Sequence, residues 1–174
     1  MLLRRVPYAL LLRSWFGYAV GLMAELGFLD VGQDQLAGGP PPDNEGGVSM
    51  LDWTTGQPNA KYFSVQMMAA AFGTGTKGVI GIEKTLYPST NTTEIYVLPF
   101  RRADDGARRL IICSKLSVPL NVTLTGGFCE NGKARVLEAV ASSDTPGFDP
   151  PVDRAVVGGK IHLAAWALAT VECQ

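Results

Sequence analysis

A chain of 174 residues, 47% hydrophobic and 18% charged, has room for one domain or a small domain with an appendage. Its net charge of −1, with both signs evenly spread, offers no basic field for nucleic acid or an acidic membrane surface. Twenty glycines and eleven prolines favour short strands joined by frequent turns over long helices.

The N-terminus carries Arg4 and Arg5 before a short apolar run, Val6 to Leu12. That run is interrupted by Arg13 and lacks a small-x-small cleavage motif, so it reads only superficially as a signal peptide. Arg13 and Glu25 also break the one stretch that approaches the ~20 apolar residues of a membrane span. Residues 13–26 read as a helix, with Phe16, Ala19, Val20, Leu22, Met23 and Leu26 recurring at spacings of three and four. Gly27 stands where a left-handed cap belongs, and Phe28 to Val31 reads as a short strand. Residues 38–58, rich in Gly and Pro, read as a long loop of the kind that is usually functional or disordered.

A second helix is expected over 59–72, opened by Pro58 and Asn59 and closed by Gly73 and Gly75. Its expected core stripe is Tyr62, Val65, Ala69 and Phe72, with Phe63, Met67 and Ala70 beside it. From Lys77 the period changes to two. Strands are expected over 78–83, 93–100, 109–115, 119–125, 134–140, 152–157 and 160–172, the last with a possible break. Asp105-Gly106, Gly126-Gly127, Asn131-Gly132 and Gly158-Gly159 mark the turns. About seven short strands with regular turns predict an antiparallel β-sandwich. The expected domains are therefore 1–76, an αβα piece, and 77–174, the sandwich.

No complete active site is visible. There is no Gly-x-Ser-x-Gly elbow. The glycine-rich stretch from Gly73 to Gly78 follows a helix where a phosphate cradle opens one. Four extended residues between Asp30 and Asp34 span about 13 Å, against roughly 5–9.5 Å for paired glycosidase carboxylates. Asp104 and Asp105 read as a solvated turn, and His162 as a sheet-surface imidazole without companion ligands. No metal site and no cofactor are expected from one histidine and the widely spaced Cys113, Cys129 and Cys173. Trp166 is expected in the core, and Trp53, in the long loop, is the better stacking candidate. Asn91 and Asn121 head two glycosylation sequons, for use if the chain is secreted.

Four stretches carry a resemblance. Ser14 to Gly27 resembles the helix before the eighth barrel strand of the heparanase-like β-glucuronidase family. Val31 to Gly39 resembles that family's eighth strand and the Gly-Gly that follows it. Pro58 to Gly75 is similar to its last barrel helix, and the segment from Ile161 to Glu172 to the end of its C-terminal β-domain. The resemblance implies an α+β chain: the terminal αβα piece of a β/α (TIM) barrel, followed by an antiparallel β-sandwich. It implies a retaining glycoside hydrolase whose two catalytic glutamates have no counterpart here, so no catalytic residue is assigned. Asp34, Gly38, Gly39 and Trp53 become the expected sugar contacts, the glycines because their backbone amides can approach a carboxylate closely. Pro40, Pro41 and Pro42 replace the tyrosine the family usually has there. Cys173 stands where some relatives have a terminal disulfide cysteine, with Cys113 or Cys129 as its partner. The implied partners are an oligosaccharide or glycan, and the missing barrel portion or another chain. A secreted, lysosomal or cell-surface location is favoured. The alternative is a non-catalytic carbohydrate-binding or protein-interaction module.

Overall fold

The computed structural model describes residues 8–28, 36, 50–51, 55–73, 80–83, 89, 91–138 and 149–173. Two helices precede eight strands: α1 (Tyr8–Glu25), α2 (Ala60–Phe72), β1 (Ile80–Ile82), β2 (Ile95–Arg102), β3 (Arg108–Ser114), β4 (Leu120–Thr123), β5 (Asn131–Leu137), β6 (Val152–Val157), β7 (Lys160–Leu163) and β8 (Leu168–Cys173).

Local chemistry explains the helix ends. Gly27 takes a φ of 79°, Phe28 N donates to Met23 O, and Gly27 N to Ala24 O, the paired bonds of a Schellman cap on α1. Asn59 caps α2, its Oδ1 accepting from Lys61 N at 3.0 Å and Tyr62 N at 3.3 Å. The expected strand at 28–31 lies outside the described residues except for Phe28, which is exposed coil.

The strands form one sheet, in the order β1-β2-β3-β8-β5-β6-β7-β4, with every pair antiparallel. This corrects the expected two-sheet sandwich. The sheet curls into a half-barrel at the β6–β7 hairpin, where only Val157 and Lys160 stay in register around Gly158-Gly159. Both glycines have positive φ (57° and 68°), which makes the two-residue turn tight, and the ladder beyond it holds the single pair Val157–Lys160. Val122 on β4 and Ile161 and Leu163 on β7 thereby close over Leu110, Ile112, Val136, Ala169 and Val171. Periodicity along each strand could not reveal this, because a strand alternates the same way in a curled sheet and in a sandwich.

Two further expectations are corrected. Asn131-Gly132 is not a turn but the start of β5. A Cβ on Gly132 would lie 2.5 Å from Glu172 O, so the glycine admits the β8 backbone. Trp166 is not in a core strand. It is half-buried at a φ of 53° in the bend that separates β7 from β8.

Two cores result. On β3, Leu110 and Ile112 face the core enclosed by strands, while Ile111 and Cys113 face a second core beneath the helices. That alternation leaves every residue from Arg109 to Ser114 buried. The second core joins Met67, Met68 and Ala71 of α2 to Tyr96, Leu98, Phe100, Leu137 and Leu168, with Tyr18, Val20 and Ala24 of α1 at its margin. Helices and sheet thus share one core across the expected boundary at residue 76.

Each helix buries only part of the stripe expected of it: Phe16 and Met67 are buried, and Val20, Phe63 and Phe72 pack against the core beneath the helices. On α2 the buried positions are Ala60, Ser64, Met67, Met68 and Ala71, while Ala69 and Ala70 are exposed. On α1 Ser14, Phe16, Gly17 and Gly21 are buried and Ala24 is half-buried, while Trp15, Leu22, Met23 and, just past its end, Leu26 face outward. A Cβ on Gly17 would stand 2.5 Å from Leu168 Cδ1, and one on Gly21 2.6 Å from Tyr96 Cε1. Small residues let α1 lie directly on the sheet, and a helix apolar all round leaves that choice to packing.

Candidate functional site

The sugar contacts expected from the sequence, Asp34, Gly38, Gly39 and Trp53, all lie outside the described residues, as does Asp30. What the described residues bring together is a cleft of about 520 Å³. Ala70 and Ala71 at the end of α2 form one wall, and the face of β3, β8, β5 and β6 forms the floor. Strand register builds that floor. Arg109, Glu172, Lys133 and Ala155 stand in one row across β3, β8, β5 and β6. Thr170, Arg135 and Asp153 stand in the next. Ala134 between them on β5, and Val136 beyond, point into the strand-enclosed core.

Arg109 is the buried member. Its guanidinium makes two bonds to Asp105, at 2.7 and 3.0 Å, and reaches Glu172 Oε1 at 3.6 Å. Those bonds and the Ala107 amide hold the Asp105 carboxyl well below the usual carboxylate range. Lys133, Arg135 and Asp153 are exposed, and none has an ion pair within 4.0 Å among the described residues. The cleft therefore offers two cations, a carboxylate and the Thr170 hydroxyl to a polar ligand. The alternation of Lys133 and Arg135 is legible in the sequence, but it reads equally as a solvated strand face.

The other charged groups act structurally. Asp104 pairs with Arg102, whose side-chain hydrogen bond lowers the Asp104 pKa, and with Asp105 it closes the β2–β3 hairpin at Gly106. Glu138 is buried at the end of β5, accepting from Arg154 and from Ala164 N at 3.2 Å. His162 is exposed, 2.9 Å from Asn121 Oδ1. Among the described residues no three His, Cys, Asp or Glu side chains group as metal ligands, and no helix is long and apolar enough to cross a membrane.

Cys129 and Cys173 form a disulfide, with Cα atoms 5.1 Å apart. It ties the end of β8 to the entry of β5. Cys113 is a buried free thiol beneath α1, and burial pushes its pKa up. Burial also raises the Tyr96 pKa, as does the 2.5 Å hydrogen bond its hydroxyl donates to Glu25.

Among the described residues, the outer face of α1 is an apolar surface not absorbed by packing. Trp15 is 61% exposed, Leu26 69% and Phe28 59%, with Leu22 and Met23 on the same side. At 100° per residue, Trp15, Ala19, Leu22, Met23 and Leu26 fall within a single stripe about a quarter-turn wide.

No family model matches this chain, and no curated protein matches it. Among solved structures it is similar to the catalytic domain of the GH30 xylanase C from Talaromyces cellulolyticus, at 14% identity and a TM-score of 0.47 over 73% of this chain and 27% of that one. It is also similar to a GH30 endoxylanase from Clostridium papyrosolvens, at 13% identity and a TM-score of 0.46 over 75% and 31%. A third is the arabinose-bound α-L-arabinofuranosidase MgGH51, at 16% identity and a TM-score of 0.49 over 71% and 21%. The chain spans less than a third of the length of each of these three.

Proposed function

We propose that this chain is the C-terminal portion of a glycoside hydrolase resembling the heparanase-like β-glucuronidases. In this reading 77–174 is the supporting β-domain, and 1–76 is the end of a β/α barrel contributing Asp34, Gly38, Gly39 and Trp53 to the edge of a sugar site. The catalytic glutamate pair belongs to a portion outside these residues, so the 174-residue chain alone turns over no glycoside.

The observation that carries the reading is the bare apolar face of α1. A surface helix of a free-standing domain is normally polar on its outer side, whereas Trp15, Leu22 and Leu26 present a contiguous apolar stripe there. The remaining barrel would cover it, as neighbouring helices cover one another in a closed barrel. The test has two arms. The purified chain is assayed on aryl β-glucuronides and β-xylosides, with no turnover expected; turnover abolished by Asp34→Asn would overturn the reading. Binding of a dye that reports exposed apolar surface is expected to fall sharply in Trp15→Asp/Leu26→Asp. Unchanged dye binding removes the supporting observation.

The charged cleft favours the second reading, a non-catalytic glycan-binding module. Glycan-array binding lost in Lys133→Ala/Arg135→Ala supports that reading, and a blank array counts against it.

A further inference from the structure

The two sequons differ in a way visible only in the fold. At Asn91 both ends of the carboxamide are engaged. Its Nδ2 donates to Glu94 Oε2 at 2.5 Å, and its Oδ1 accepts from Thr93 Oγ1 at 3.0 Å and Glu94 N at 3.2 Å. These bonds build the turn that leads into β2. At Asn121 the arrangement is open. Burial alternates along β4, so Val122 is anchored in the strand-enclosed core while Asn121 and Thr123 both point outward and are exposed. Both groups that a sequon needs, the carboxamide and the hydroxyl two residues on, thus share one accessible face.

Across the ladder, His162 is the register partner of Asn121, and its Nδ1 lies 2.9 Å from Asn121 Oδ1. An amide oxygen accepts, so the ring N–H donates, and the amide nitrogen is turned away from the histidine. Asn121 Nδ2 has no hydrogen-bond partner among the described residues. A second, independent observation concerns the compartment. The Cys129–Cys173 disulfide belongs in an oxidising environment, and disulfides persist in the secretory compartments where sequon glycans are added.

We propose that Asn121 is an N-glycan acceptor and that the chain matures in an oxidising secretory compartment. The donor class is an oligosaccharide linked to a polyprenyl diphosphate. Asn121 Nδ2 forms a bond to the anomeric carbon of the first sugar and loses one proton. The bond from that carbon to the diphosphate breaks, and the lipid diphosphate leaves with its electron pair, so nothing is oxidised or reduced. The product keeps Oδ1 and one N–H, which leaves the His162 hydrogen bond intact. β4 ends the sheet, so the glycan stands beside an edge whose unpaired backbone groups otherwise invite strand addition. The inference rests on the sequon, its face and the disulfide, and is independent of the glycosidase reading.

The test is expression of the full chain behind a secretion leader in cultured eukaryotic cells. Intact-mass and peptide spectrometry then follow, with and without enzymatic glycan removal. The expected result is a secreted, disulfide-bonded chain glycosylated at Asn121, with that modification lost in Asn121→Gln and Thr123→Ala but kept in Thr123→Ser and His162→Ala. Thr123→Ala keeps the test valid if Asn121→Gln misfolds. A secreted chain with Asn121 unmodified overturns the proposal, whether Asn91 is modified or not. Retention inside the cell with Cys129 and Cys173 reduced also overturns it.

Discussion

The two cores on either side of the sheet are closed by different means. The strand-enclosed core is sealed by the sheet itself, through β4 and β7 curling over β3, β8 and β5, and is stapled by Cys129–Cys173. The other core is sealed by α1 and α2, and α1 turns an equally apolar back to the outside. The first is therefore self-sufficient. The second depends on a helix whose own burial is incomplete, with Trp15 61% exposed on its outer side.

The sharpest way to break this comparison is a matched pair of core truncations. Phe100→Ala opens the helix-sealed core, where Phe100 is fully buried against Phe72, and is expected to cost about 3–5 kcal/mol in denaturant unfolding. Leu163→Ala in the strand-enclosed core is expected to cost about 2–5 kcal/mol. Hydrogen exchange separates them. Phe100→Ala should speed exchange of α1 and α2 amides first, and Leu163→Ala should not; equal effects on the helices would show that the cores are not distinct.

Cys173→Ser removes a cross-link that closes a 44-residue separation and is expected to cost about 2–4 kcal/mol, read as a lower denaturant midpoint. Gly21→Ala forces a methyl towards the Tyr96 ring and should cost about 1–3 kcal/mol, with weakened protection confined to α1.

Alkaline pH probes the same helix-sealed layer. Tyr96 and Cys113 have folded pKa values raised above their ordinary 10.0 and 9.0 by burial. Their contribution is complete below about pH 9 and is lost as pH rises, because the unfolded chain ionises first. Stability should therefore fall above pH 9, and Tyr96→Phe with Cys113→Ala should flatten the fall; an unaltered alkaline limb would contradict this. The smallest expected effect is that of Trp15→Asp on stability, within about 0.5 kcal/mol, because the indole is mostly exposed. A large loss would mean that α1 already buries its outer face.

Much of the fold was legible residue by residue. The Asn59 cap, the Gly27 stop, the Asp105-Gly106 hairpin and the span 152–157 all follow from local chemistry, because caps and turns need particular residues at particular φ. The candidate site was less legible. Asp34, Gly38, Gly39 and Trp53 rest on the resemblance, and Lys133, Arg135 and Asp153 meet only through register between strands distant in sequence.

By itself, then, the sequence determined most of the helices and strands and several of their ends, among them the Asn59 cap, the Gly27 stop and the span Val152–Val157, but not the start of β5 or the break between β7 and β8. Only the tertiary structure decided which faces of α1 and α2 lie on the sheet, that the eight strands join into one curled sheet, and that Cys173 pairs with Cys129. The reason is common to all three. A helix apolar all round has no periodicity to orient it, a strand alternates identically in a sheet of any curvature, and cysteine spacing carries no distance.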